Sequence, residues 1–219
     1  LARDRTGEKP LYYGWQGEGS NASFLFCSEL KALRAHPSFQ SEINRNSITL
    51  FLRHNYIPAP YSIYQGISKL LPGTILTVSL DNRVPKISSY WSAEEVAKKG
   101  VDTQYRGSDV DVLNDLEGVL QQSVKQQMVA DVPLGAFLSG GIDSSLIVAL
   151  MQQQSVRKVK TFTIGFSESG YNEADYAKAV AKHLKTEHTE LYVSPNEAMN
   201  FIPQLPQLYD CLLYTSPSP

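Results

Sequence analysis

The sequence predicts two domains of different fold class: an α+β domain with an antiparallel sheet, followed by an α/β domain with a parallel sheet. In residues 1–91, short apolar and aromatic runs alternate with glycine and proline turns, as in antiparallel hairpins. From residue 108 onward, apolar strands alternate with amphipathic segments of helical length, which is typical of a parallel sheet. The intervening residues 92–107 are mostly polar and predict a linker.

The first domain opens with a predicted hairpin, because aromatic runs at 11–13 and 24–26 flank a glycine-rich turn. Two short helices follow. The first has Ser28 as its predicted N-cap, and the second covers residues 47–54 and ends before two prolines.

A second hairpin is predicted at the end of this domain. The turn at 71–74 leads into a strand over 75–78, and Asp81-Asn82 forms the turn before a strand that ends at 90–91. Near the start of the chain, Arg3 and Asp4 are predicted to form a structural ion pair without a catalytic role.

The second domain is predicted as alternating helices and strands. In order, these are a helix over 109–130, a strand over 134–138, a helix over 144–154, a strand over 160–166, a helix over 173–184 and a strand over 190–193. Asn172 is the predicted N-cap of the third helix. Ligands of such sheets bind at the carboxyl ends of the strands, so functional residues are expected there.

Composition excludes several classes of function. With 20 basic and 22 acidic residues the net charge is −2, so a surface that binds nucleic acid is not expected. No apolar run approaches the ~18 residues needed to span a bilayer, so a cytoplasmic protein without membrane contact is expected. Cys27 and Cys211, with histidines at unrelated spacings, provide neither a disulfide framework nor a zinc site.

The segment SGGIDSS at residues 139–145, called here the glycine loop, is the part of the sequence that most clearly indicates a binding site. It joins a predicted buried strand to a helix. Gly140 and Gly141 can adopt positive φ angles that point successive amides into one concavity, and the serines add hydroxyl donors. The following helix aims its unpaired N–H groups and positive dipole end at the same place. The pattern therefore predicts a phosphate site.

This loop differs from the common nucleotide-binding motifs. It has no Gly-Lys-Ser/Thr ending and no Gly-x-Gly-x-x-Gly fingerprint. Asp143 places a carboxylate among phosphates, which is favourable when a cation lies between them, and we therefore predict that Asp143 is a Mg²⁺ ligand. The alternative is that Asp143 only stabilises the helix N-terminus.

The glycine loop resembles the pyrophosphate loop of the ATP pyrophosphatases. With ARDRTGEKPLYY at 2–13, LPG at 71–73 and TFTIGF at 161–166, the chain resembles the glutamine-hydrolysing asparagine synthetases as far as Asp210. The resemblance implies that residues 1–91 are the C-terminal part of a class II glutamine amidotransferase domain. Residues 108–210 would be the N-terminal part of a synthetase domain of the ATP pyrophosphatase type.

The same resemblance implies a set of ATP-binding residues. These are Leu138, Ser139, Gly140, Gly141, Asp143, Ser144, Ser145, Ile164 and Gly165. Leu138 and Ile164 match positions that line the family's ATP site, but apolar strand residues are equally expected in the core. Gly165 is expected to allow close approach of a ligand.

The implied reaction is the ATP-dependent amidation of aspartate with ammonia from glutamine, through an aspartyl-adenylate. Aspartate, glutamine and ATP are the expected partners, with Mg²⁺, and a homodimer stays open. The family's cysteine nucleophile would precede Leu1, and its second metal ligand and catalytic lysine would follow residue 210. We therefore expect a fragment without catalytic residues, inactive alone, with a non-native tail at 211–219. The alternatives are an enzyme that adenylates another carboxylate and a non-catalytic nucleotide-binding protein.

Overall fold

The computed structural model describes residues 1–166 and 172–208. The chain divides into two compact units, Tyr105–Ile202 and a unit made of Leu1–Gln104 with the described residues after Ile202. The predicted non-native tail, 211–219, lies outside the described residues. In the described part of the chain, no helix is both long enough and apolar enough to cross a membrane.

The first sheet of the first unit contains the predicted hairpin. Strands Tyr12–Gln16 (β1) and Ser23–Cys27 (β2) pair antiparallel, with Tyr12 opposite Cys27. Strand Ser68–Lys69 (β3) pairs with the other edge of β1. The hairpin prediction is confirmed, since the two aromatic runs form neighbouring strands across the glycine-containing turn.

Both predicted short helices of the first unit are present. Helix α1, Leu30–Arg34, has Glu29 at its N-cap without a side-chain capping bond, so the prediction of Ser28 as N-cap is wrong. Burial holds this short helix, because Leu30 and Leu33 pack in a core with Tyr12. The polar residues that precede α1 therefore contribute less to its stability than this apolar contact does.

Helix α2, Arg45–His54, begins two residues earlier than predicted. The side chain of Asn44 accepts hydrogen bonds from the N–H groups of Asn46 and Ser47, which fixes the start. Asn55 ends the helix in the left-handed conformation, at φ 60°.

The second predicted hairpin is also confirmed. Strand β4, Thr74–Thr77, pairs antiparallel with β5, Lys86–Ser89. Leu76 of β4 packs against Tyr13 and Leu70, which links this hairpin to β1 through a shared core.

The segment predicted as a linker contains a helix, α3, Ala93–Asp102. Ser92 caps it by accepting from the N–H of Glu95, and Glu94 pairs with Lys98 one turn later at 2.5 Å. No residue of α3 is buried, although Val96, Ala97 and Val101 lie on one face of the helix at helical spacing. Local capping and charge pairing both stabilise its helical structure.

The second unit contains a parallel three-stranded sheet in the order β6-β7-β8. Its strands are Gly135–Phe137 (β6), Lys160–Phe166 (β7) and Glu187–Val193 (β8). The helices in this part of the chain are Asp109–Gln127 (α4), Ile142–Gln154 (α5), Ala174–Leu184 (α6), Pro195–Phe201 (α7) and Leu205–Leu208 (α8), the last grouping with the first unit. The predicted parallel pairing is present.

The core of this unit lies on one face of the sheet. Helices α5 and α6 pack there, and Leu138, Val148 and Ala177 belong to one buried cluster. Along β7, residues alternate between this buried face and an exposed one. The prediction of a buried first strand is wrong for β6, because it is an edge strand of the sheet formed by the described residues and Phe137 is 79% exposed.

Candidate functional site

The glycine loop connects β6 to α5 at the carboxyl end of the parallel sheet. Gly141 is the N-cap of α5, so the helix begins at Ile142, two residues before the predicted start. The first turn of α5 therefore lies inside the loop motif, and its unpaired N–H groups belong to the loop itself. This arrangement suits an anion at the helix N-terminus.

Gly140 is the residue at which the chain reverses. Its φ of +80° is in the left-handed region, where a side chain would be strained. A Cβ atom at this position would also lie 2.6 Å from the Cβ of Tyr176 and 2.7 Å from the backbone N of Ala177. The prediction of a positive φ is wrong for Gly141, which has φ −70°.

The hydroxyls of the loop bond to the amides of the loop. The Oγ atoms of Ser139 and Ser144 lie 2.9 Å apart. The N–H of Ser139 donates to Ser144 Oγ, and the N–H of Gly141 donates to Ser139 Oγ, each at 3.3 Å. Hydroxyls rotate readily, so an entering anion can replace them as the acceptor for these amides. Ser145 differs, since its Oγ is buried and has no partner within the described residues.

Asp143 stands in the first turn of α5 and is exposed to solvent. No group of three or more His, Cys, Asp or Glu residues suited to a metal occurs within residues 1–166 and 172–208. Asp143 can therefore supply one carboxylate, and phosphate oxygens and water would have to complete a metal's coordination. That oxygen-rich combination fits Mg²⁺, which keeps several waters and takes few protein ligands.

The three predicted strand residues occupy different environments. The side chain of Leu138 is 1% exposed and packs in the core, so only its backbone borders the loop. Ile164 is 47% exposed and belongs to the opposite face of the sheet. A Cβ at Gly165 would lie 2.7 Å from the ring of Tyr192, so this ring already occupies the space beside the glycine. The structure does not bring these side chains together around one cavity.

Polar contacts fix the ring of Tyr192. Its hydroxyl donates to Glu190 at 3.0 Å, and Glu190 pairs with Lys178 at 3.1 Å. The hydrogen bond from Lys178 lowers the pKa of Glu190, and the bond to Glu190 raises the pKa of Tyr192. The Asn172 side chain also borders Gly165 and accepts from the N–H of Ala174. The prediction of Asn172 as the N-cap of α6 is wrong, because Glu173 is the N-cap residue.

Thr163 is a site residue that sequence reasoning missed. Its side chain is 4% exposed on the buried face of β7, and its hydroxyl donates to the carbonyl oxygen of Leu138. The N–H of Leu138 donates to the carbonyl of Phe162 at 2.9 Å, which is the last β6 to β7 backbone bond before the glycine loop. The sequence contains one signal for this role: Thr161 and Thr163 occupy alternate positions of a strand that is otherwise mostly apolar.

In the first unit, the predicted ion pair between Arg3 and Asp4 is wrong. The Arg3 guanidinium donates to the carbonyls of Gly7, Lys9 and Leu70, at 2.8, 2.9 and 2.6 Å. Asp4 accepts from the N–H groups of Glu8 and Lys9, at 2.9 and 3.3 Å. Burial acts to raise the pKa of Asp4, but these backbone bonds hold it below its usual value. Both residues bind backbone groups, Asp4 within its own loop and Arg3 both there and at Leu70.

Two family sequence models match the chain. The model described as a glutamine amidotransferase domain matches residues 1–91, and the model described as asparagine synthase matches residues 115–219. The chain is similar to a candidate glutamine-hydrolysing asparagine synthetase of Methanocaldococcus jannaschii, with 35% identity over 95% of this chain and 39% of the relative. Glutamine-hydrolysing asparagine synthetase 1 of Bacillus subtilis is 32% identical over 95% of this chain and 31% of its own length.

Proposed function

Because the chain belongs to the glutamine-hydrolysing asparagine synthetase family, we propose that the full-length protein converts aspartate to asparagine with ATP and the amide nitrogen of glutamine. The chain spans 39% and 31% of the two relatives named above. We assign residues 1–91 to a class II glutaminase domain, 92–107 to a connection and 108–210 to a synthetase domain of the ATP pyrophosphatase type. The observation that carries the proposal is the glycine loop at the carboxyl end of a parallel sheet.

The proposed chemistry activates a carboxylate. A carboxylate is a poor electrophile and has no good leaving group, so ammonia does not displace its oxygen directly. We propose that the side-chain carboxylate of aspartate attacks the α-phosphorus of ATP, which breaks the bond to the β-phosphate and releases pyrophosphate. Ammonia then attacks the acyl carbon of the aspartyl-adenylate, and AMP leaves with the C–O bond electrons. The products are asparagine, AMP and pyrophosphate.

The glycine loop would bind the departing pyrophosphate. Amides of Ser139 and Gly141, together with the N-terminus of α5, provide fixed N–H donors where negative charge develops. The hydroxyls of Ser139 and Ser144 would turn from the loop amides toward phosphate oxygens. Asp143 would hold Mg²⁺, and the ion when bound neutralises phosphate charge.

The glutaminase half would supply ammonia from glutamine. Ammonia is a nucleophile only when unprotonated, so its passage to the adenylate has to exclude water. Neither Cys27 nor Cys211 matches the position of the family's cysteine nucleophile, and no residue of this chain is assigned to glutamine hydrolysis.

The test is a product assay of the full-length protein with aspartate, glutamine and ATP. We expect equal amounts of asparagine, AMP and pyrophosphate. AMP with a different amidated product would identify an enzyme that adenylates another carboxylate. ATP binding without turnover would identify a non-catalytic nucleotide-binding protein, and ADP in place of AMP would refute adenylation.

A further inference from the structure

The hydrogen bond from Thr163 to Leu138 connects the sheet to the start of the glycine loop. Both residues are buried, with Thr163 4% and Leu138 1% exposed. The bond from the N–H of Leu138 to the carbonyl of Phe162 is the last backbone bond between β6 and β7, and beyond it the two strands diverge. The Leu138 carbonyl then bonds to the side-chain hydroxyl of Thr163. A buried carbonyl left without this donor would destabilise the folded protein.

This bond also sets the direction of an amide in the loop. The carbonyl of Leu138 and the N–H of Ser139 belong to one planar trans peptide unit, so they point in opposite directions. With the carbonyl held by Thr163, the N–H of Ser139 is directed away from the sheet and toward Ser144 Oγ. That N–H is one of the donors assigned above to pyrophosphate.

We propose that Thr163 is a positioning residue for the pyrophosphate-binding loop. It acts by orienting the peptide between Leu138 and Ser139 and does not touch the ligand. The inference rests on the proposed function of the glycine loop. Loss of the Thr163 hydroxyl frees this peptide to rotate, so the amide of Ser139 is no longer preorganised and the affinity for ATP falls.

Thr161 provides a matched control. It lies two residues earlier on the same strand and the same buried face, with 0% exposure. Its hydroxyl bonds to Thr186 and to Nδ1 of His188, each at 2.9 Å, and not to the glycine loop. Thr161→Val therefore removes an equally buried hydroxyl without changing the Leu138 peptide.

The experiment measures Mg-ATP binding to the full-length protein by calorimetry, with glutamine hydrolysis as a second readout. We expect Thr163→Val to weaken binding about fivefold or more, which corresponds to loss of one buried hydrogen bond. Thr163→Ser should bind Mg-ATP with an affinity within about twofold of wild type, because serine retains the hydroxyl. Thr161→Val should lower the melting temperature but leave ATP affinity within the same twofold range. Glutamine hydrolysis should be unchanged in all three variants.

The outcomes separate the two proposals. Wild-type protein that does not bind ATP would refute the proposed function. Wild-type binding with equal affinity in Thr163→Val, or equal losses in the two valine variants, would refute the positioning role. If Thr163→Val does not fold, Thr163→Cys takes its place, because a thiol is a weak donor of similar size. Unchanged affinity in the cysteine variant would then overturn the inference, and weakening reversed in Thr163→Ser would support it.

Discussion

Two loops of this molecule are held by bonds between side chains and backbone, but the side chains differ in kind. In residues 3–9 of the first unit these side chains are charged: the guanidinium of Arg3 donates to carbonyls and the carboxylate of Asp4 accepts from amides. In the glycine loop of the second unit, neutral hydroxyls of Ser139 and Ser144 bind the amides. The carboxylate of Asp143 stays exposed.

The difference indicates which loop is fixed and which is suited to a ligand. Charge-assisted bonds are strong and directional, and the Arg3 guanidinium already donates to three backbone carbonyls, two in its own loop and one at Leu70. Hydroxyl bonds are weaker and can be exchanged for bonds to an anion. Substitutions in the two loops should therefore reduce different properties of the protein.

The largest effect is expected for Gly140→Ala in the glycine loop. The positive φ would strain alanine, and its Cβ would collide with the backbone of α6. The two costs together should lower the free energy of unfolding by about 2–5 kcal/mol and abolish ATP binding. Urea denaturation and calorimetry would measure both effects.

Gly141→Ala is the matched control for that substitution. Gly141 has φ −70°, and the nearest atom to an added Cβ is the movable Oγ of Ser139, at 3.3 Å. We expect a loss below about 1 kcal/mol. Similar losses for both variants would mean that the tight approach of α6 to Gly140 does not matter.

The next effect concerns activity and not stability. In the full-length protein, Asp143→Ala should slow AMP release about a hundredfold or more, because phosphate charge would lose its bridging ion. Glutamine hydrolysis should continue. Asp175→Ala is the control, since Asp175 is also an exposed acid in the first turn of a helix. A parallel fall of both activities in a folded protein would favour the alternative that Asp143 only supports the helix.

Arg3→Lys tests the other loop. A lysine cannot donate to the carbonyls of Gly7, Lys9 and Leu70 with the same fork geometry, so about 2 kcal/mol of unfolding free energy should be lost. Arg5→Lys, at an exposed neighbouring position, should cost less than about 0.5 kcal/mol. If denaturation midpoints of the two variants agreed, the bonds of Arg3 would not stabilise the first unit.

Sequence patterns predicted the regular elements well because hydrophobic period and turn chemistry act locally. They placed both hairpins and the alternation of β7 with its flanking helices. They failed where polar residues decide structure: α3 buries none of its residues and is capped by Ser92, and Arg3 bonds to carbonyls that any sequence provides. Because every residue has a backbone carbonyl, the spacing of side chains does not indicate which carbonyl a guanidinium will bind.

For the candidate site, sequence located the loop but not its support. The SGGIDSS pattern indicates flexible glycines and donors, yet two features depend on tertiary contacts. These are the closeness of Gly140 to α6 and the bond from Thr163 to Leu138. The exposure of Ile164 and the burial of Leu138 follow from which sheet face α5 and α6 cover. Spacing along one strand cannot give that information.

The smallest expected effect concerns a second cation in the first unit and its dependence on pH. Burial, with a smaller contribution from Arg3, lowers the pKa of Lys69 to about 8. Its Nζ donates to the carbonyl of Ile57 at 2.9 Å. Between pH 8 and about 10.5, the unfolded chain retains a proton that the folded protein releases, so stability should rise with pH across this window.

Lys69→Met keeps the apolar stem and removes this titration, so the variant should lack that rise. The stability difference between the variant and wild type should change by about 1 kcal/mol between pH 8 and 10, since solvent screens part of the interaction. Lys9→Met, at an exposed position, should keep the wild-type pH profile. Parallel profiles for wild type and Lys69→Met would show that the Lys69 amine titrates alike in the folded and unfolded protein. In that case the first unit would tolerate a buried charge as easily as the second tolerates the exposed charge of Asp143.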